Sequence, residues 1–210
     1  MPPTFRPPLP GPKQGLHGSR PLLWWSAGWY HGPLQHLLLE QRRHPNGAGL
    51  AAPIQILLQG LATWPLPVTA APLLLVPLPG WRPAGNPIPL LLAQQLSLSL
   101  RLGPSQSAAA AGCQLVPELL QRARRVACQH RLQRDQRWRN QWLSFRARLA
   151  AGCPQLSQGT VLLIDDVLTS GATAQAAQQA LLSAGWNVAG LLCLARTGRH
   201  AGRNAGARSR

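Results

Sequence analysis

One stretch constrains the fold more than any other. Thr160-Val161-Leu162-Leu163-Ile164 runs without a polar break into two adjacent carboxylates, Asp165 and Asp166. A short, mostly apolar run rich in β-branched residues and leucine is the signature of a strand covered on both faces. After the acids come Val167, Leu168 and the small polar turn Thr169-Ser170-Gly171-Ala172-Thr173. An Ala-rich stretch, residues 174–184, then reads as a helix ended by Gly185. Residues 188–195 supply another apolar strand. Strand, turn, helix and strand in this order predict an α/β fold with a parallel sheet and right-handed crossovers.

The same stretch carries the chemistry. Ligands of open parallel sheets bind beyond the carboxyl ends of the strands. The turn at 169–173 places backbone N–H groups beside a helix N-terminus, which suits a phosphate. Gly171 allows close backbone approach, and Thr169, Ser170 and Thr173 add hydroxyls. Two carboxylates facing that phosphate would repel it, so they are expected to face hydroxyls or a metal-bridged sugar. Helix capping alone accounts for one or two of these residues, not for five polar residues behind a buried strand. A Walker loop is excluded, because the only Lys, Lys13, lies in the Pro-rich N-terminus.

The remaining chain fits around this unit. Residues 1–20 read as a disordered Pro/Gly-rich tail. Residues 21–66 read as a small N-terminal helical segment: Leu34, Leu37 and Leu38 mark one helix, and Leu50, Ile54, Leu57, Leu58 and Leu61 mark a second. Residues 67–197 form the main domain, with Leu73-Leu74-Leu75-Val76 as a buried strand ending at Pro77, a helix over 88–100 and a short strand over 113–116. Residues 198–210 read as a basic disordered tail with four Arg and no acid.

Charge narrows the partners. The 210 residues hold 21 Lys+Arg against 5 Asp+Glu, a net charge of +16. Such a chain attracts phosphate, nucleic acid or anionic lipid. Nine Arg, offset by Asp135, fall between Arg122 and Arg148, interleaved with Trp138 and Trp142. Arg and aromatic side chains together suit pyrophosphate oxygens or a nucleic-acid backbone and bases. The four cysteines, Cys113, Cys128, Cys153 and Cys193, lack C-x-x-C spacing, so no zinc ligands are expected from them. No signal peptide or membrane span is expected, which makes a cytoplasmic location the default reading.

The motif VLLIDDVLTSGAT resembles the 5-phosphoribosyl-1-pyrophosphate (PRPP) signature of the type I phosphoribosyltransferases. Further segments resemble the ComF-type (competence protein F) branch. They are Leu75-Val76-Pro77-Leu78-Pro79 followed by Arg82, Gly85 and Asn86, and the series Leu120, Arg122, Arg124, Gln129, Leu132, Arg137, Asn140 and Phe145. Trp29-Tyr30-His31-Gly32-Pro33-Leu34 resembles its lead-in helix, and Leu194-Ala195-Arg196 its last strand. The branch often opens with a four-cysteine zinc module, which is absent here, since no Cys precedes Cys113.

The resemblance implies a type I phosphoribosyltransferase-like parallel sheet flanked by helices, with an N-terminal hood and a flexible arm. It implies that Asp165 and Asp166 are catalytic and hold the ribose hydroxyls. Thr169, Ser170, Gly171, Ala172 and Thr173 would bind the 5′-phosphate, and Val76, Pro77, Leu78, Pro79 and Arg82 would form the pyrophosphate loop. Arg122, Arg124, Gln129, Arg137 and Asn140 would form an arm for pyrophosphate or nucleic acid. Two functions follow. One is a glycosyltransferase that takes Mg²⁺–PRPP, with Mg²⁺ as cofactor, and passes phosphoribosyl to a nitrogen nucleophile. The other is a competence factor for DNA uptake that binds single-stranded DNA and keeps the PRPP pocket for sensing. A family member without a ligand is the third reading.

Overall fold

The computed structural model describes residues 15–47, 49–63, 72–80, 85–102, 112–123, 144–153, 156 and 158–198. Its strands are β1 (Leu16–Gly18), β2 (Trp24–Trp29), β3 (Leu73–Pro77), β4 (Gln114–Leu115), β5 (Leu120–Arg122), β6 (Phe145–Ala147), β7 (Thr160–Leu168) and β8 (Asn187–Arg196). Its helices are α1 (Gly32–Arg43), α2 (Ala51–Thr63), α3 (Ile88–Leu102) and α4 (Ala172–Ser183). Six strands form one sheet in the order β1-β2-β8-β7-β3-β4. All neighbours run parallel except β1, which pairs antiparallel with β2. β5 and β6 form a separate antiparallel pair.

The apolar runs work as strands because both of their faces are covered. Leu74, Val76, Val161, Leu163, Leu191 and Cys193 join one core cluster together with Ala174, Ala177 and Leu181 of α4. Their alternates Leu73, Leu75, Leu162, Ile164, Leu192 and Leu194 join the other, with Leu38, Leu57, Leu92 and Leu96 of α1, α2 and α3. Successive strand side chains point to opposite faces, so a sheet with helices on both sides needs every position apolar. Each fully buried Leu, Ile or Val contributes about 1.5–3 kcal/mol. α4 ends as expected at Gly185, which takes φ +90 while Trp186 N–H reaches back to Leu181 O at 3.0 Å.

Two expectations need correction. The segment 21–66 is not wholly helical, because β2 sits inside the main sheet, paired with β8 from Trp24↔Leu191 to Trp29↔Arg196. Residues 16–18, read as part of a tail, form β1. WWSAGW carries no clean apolar run, and its buried Ser26 is satisfied locally, its hydroxyl bonding to Gly28 O at 2.8 Å. Aromatic strand propensity was the signal available there.

The chain order fixes where a ligand can sit. From β3 the chain passes through α3 outward to β4, and later returns to β7 on the other side of β3. This reversal makes the gap beyond the carboxyl ends of β3 and β7 a topological switch point, the usual crevice of such sheets. Of the arm, the structure describes the base alone: β5 pairs with β6 from Leu120↔Ala147 to Arg122↔Phe145.

Candidate functional site

A cleft of about 350 Å³ occupies that switch point. Leu78, Pro79, Gly80, Gly85 and Asn86 line it from the loop after β3, Pro89 from α3, Arg122 from β5, Asp165 from β7 and Thr173 from α4. The N-termini of α3 and α4 therefore both border it, and neither has an acid in its first turn. Their partial positive charge faces any anion in the cleft.

The two acids, neighbours in sequence, part ways. Asp165 faces the cleft. Its carboxyl lies well above the usual carboxylate range, because the protein packed around it strips away solvent and because Asp166 carries a charge beside it; Arg122 pulls the other way. Across the sheet, burial pushes the Cys193 thiol up as well. Asp166 is 5% exposed and engaged elsewhere. Its Oδ2 accepts from Arg42 Nη2 at 2.5 Å and from Asn86 Nδ2 at 2.7 Å, and its Oδ1 accepts from Val167 N–H at 2.8 Å. Burial works against the Arg42 charge, but the hydrogen bond and charge of Asp166 outweigh it and raise the Arg42 pKa.

The turn at 169–173 is set by backbone geometry. Gly171 holds φ +80 at the start of α4, a conformation that favours glycine. A Cβ there would lie 2.3 Å from Pro21 Cγ, so the segment before β2 packs directly on the turn. Thr169 and Ser170 are exposed, and Ser170 Oγ accepts from Ala172 N–H at 3.3 Å. Arg196, at the end of β8, donates to Leu168 O at 2.9 Å and to Thr169 O, and its guanidinium lies 5.4 Å from the Trp24 ring centre. A cation thus braces the turn from behind.

The opposite rim is fastened by distant side chains. Val76 and Pro77 are buried inside β3 and offer the cleft no side chain, whereas Leu78 and Pro79 line it. Leu78 N–H donates to Ile164 O at 2.8 Å. Arg122 Nε donates to Pro79 O at 2.9 Å, and its guanidinium sits 4.0 Å over the Phe145 ring. Burial pushes the Arg122 pKa down to about 10, with Asp165 partly restoring it.

The fold therefore brings together Asp165, Thr173, Leu78, Pro79 and Arg122 around one cleft; of the turn at 169–173 only Thr173 lines it, and Thr169, Ser170, Gly171 and Ala172 precede it in the chain. Arg82, Arg124, Gln129, Arg137 and Asn140 lie outside the described residues. Nothing in the sequence singles out Arg42 beyond its place in the basic last turn of α1. Among the described residues no group of three or more His, Cys, Asp or Glu could hold a metal ion, and no helix is long and apolar enough to cross a membrane. Neither the protein-family models nor the curated proteins match this chain.

Proposed function

We propose that the protein binds Mg²⁺–PRPP in the switch-point cleft and transfers its phosphoribosyl group to a nitrogen nucleophile, releasing pyrophosphate. The observation that carries this reading is the convergence in one cleft of a carboxyl, a guanidinium and a helix N-terminus: Asp165, Arg122 and Thr173 in the first turn of α4. A sugar carrying anions at both ends needs that set, and two helix N-termini at opposite rims fit its two phosphate ends.

The 5′-phosphate would sit on the turn at 169–173, and Asp165 would accept hydrogen bonds from the ribose hydroxyls. The nucleophile's lone pair forms the new bond at the anomeric carbon, the carbon–oxygen bond to pyrophosphate breaks, and that electron pair leaves with pyrophosphate. The nitrogen's surplus proton passes to solvent. Positive charge develops on the sugar ring in between, and an ionised Asp165 close by stabilises it. Arg122, tied to Pro79 at the β3 rim, would stabilise the departing pyrophosphate. With Asp165 the single carboxylate among the described residues that line the cleft, the protein suits Mg²⁺ carried in on the substrate's oxygens, where the ion would neutralise the leaving group.

Calorimetric titration with Mg²⁺–PRPP tests the reading. Binding by the wild type that is lost in Asp165→Asn is expected, followed by pyrophosphate release with the right amine or base. No heat from the wild type removes the proposal.

A competence-type factor that binds single-stranded DNA is the second reading. What supports it is the Arg excess between Arg122 and Arg148, of which Arg146 and Arg148 are exposed beside the hairpin base. Its affinity for a labelled oligonucleotide would fall steeply with salt; a flat salt dependence removes it.

A further inference from the structure

Adjacent acids at a ligand site are naturally read as a pair with one task. The geometry divides them. Asp166 has both oxygens occupied, by side chains 124 and 80 residues away in sequence and by its neighbour's N–H. It is 5% exposed, while its partner Arg42 is 40% exposed in its side chain. Asn86 extends the chain of contacts, since its Oδ1 accepts from Ile88 N–H at 3.2 Å, in the first turn of α3. One line of polar contacts thus ties the end of α1 to β7, to the β3 rim and to the start of α3.

We infer that Arg42 is a positioning residue whose guanidinium, with the Asn86 amide, makes Asp166 a strut beneath the cleft and leaves Asp165 as the single acid of the pair that meets the ligand. The ligand half of this inference rests on the PRPP reading above. The physical reason is that two carboxylates side by side in a half-buried site repel each other. Neutralising one with a guanidinium from another element lets the other ionise when a ligand arrives. A buried carboxylate holding three hydrogen bonds also has little capacity left for a substrate hydroxyl. The charged and titratable groups around Asp165 are Asp166 on its own strand, Arg122 from β5, Cys193 from β8 and Arg42 from α1.

The test uses Asp165→Asn, Asp166→Asn, Arg42→Met, Arg42→Lys and the double variant Arg42→Met/Asp166→Asn in the full chain. Urea unfolding reads the strut, Mg²⁺–PRPP calorimetry reads the ligand acid, and a carboxyl-carbon NMR titration follows Asp165. Asp165→Asn is expected to lose affinity by about tenfold or more, the size of one charge-assisted hydrogen bond, with no loss of stability. Asp166→Asn and Arg42→Met should each unfold at lower urea, and the double variant no earlier than the weaker single. Arg42→Met should move the Asp165 midpoint upward, and Arg42→Lys, which keeps the charge, should restore it.

An Asp166→Asn variant that keeps its stability but loses ligand as Asp165→Asn does overturns the inference. So do additive unfolding losses, or an Asp165 midpoint that ignores Arg42→Met. If the wild type does not bind Mg²⁺–PRPP, the ligand reading falls, and the unfolding cycle and titration still decide the strut.

Discussion

The two rims of the cleft are built in opposite ways. The β7 rim is continuous in sequence: strand, acid pair, turn and helix follow one another from residue 160 to residue 183. The β3 rim is a Pro- and Gly-rich loop whose shape depends on partners far along the chain. Pro79 is held by Arg122 across 43 residues, and Asn86 holds Asp166 across 80. One rim is specified by its own backbone, the other by side chains delivered by the rest of the fold. Damage to the first should therefore act through local strain, and damage to the second through lost tethers.

Gly171→Ala should have the largest effect. Its φ of +80 is unfavourable for alanine, and the new Cβ would meet Pro21 Cγ at 2.3 Å and Cδ at 2.6 Å. A loss of about 2–3 kcal/mol is expected, read as a lower denaturation midpoint; an unchanged midpoint would mean that the β7 rim is not strained into place. Asn86→Ala comes next. It removes a donor to Asp166 and an acceptor for Ile88 N–H, for about 1–2 kcal/mol. Equal losses from Gly171→Ala and Asn86→Ala would erase the contrast between the rims.

Arg122→Leu follows, at about 1 kcal/mol for the bond to Pro79 and the contact over Phe145. Mg²⁺–PRPP affinity should fall with it, and an unaffected affinity would detach the β3 rim from the ligand. Asp165→Asn should change stability least, and with a telling sign. Burial, then the charge of Asp166, raises the Asp165 pKa above its ordinary 3.8. As pH climbs past that value the unfolded chain releases the proton first, so the wild type loses stability until the folded carboxyl ionises. The variant has no such loss. The gap in its favour should open above about pH 4 in a pH series of unfolding midpoints, and a gap opening the other way would make Asp165 a stabilising ion.

These contrasts follow what could be read in advance. β3, β7 and β8 were legible because a strand covered on both faces needs an unbroken apolar run, and LLLV, TVLLI and VAGLLCLA have one or nearly so. α1 and α2 were legible from their spaced leucines, and the turn at 169–173 from its small polar residues beside a helix start. β2 was not, since WWSAGW mixes three Trp with Ser, Ala and Gly and gains its strand partner from β8, at the other end of the chain. The different partners of Asp165 and Asp166 were not legible either, because adjacency in sequence says nothing of which element arrives beside each acid.

The sequence by itself determined the α/β class, the strand that carries the acids and the turn that follows it, because burial and backbone conformation act over a few neighbouring residues. The tertiary structure alone decided that Asp165 lines the cleft while Asp166 is bound by Arg42 and Asn86, that Arg122 reaches the β3 rim, and that Pro21 packs on Gly171. Those outcomes depend on charges and side chains brought together only when the sheet closes its order, and electrostatic contacts over such sequence distances leave no local trace.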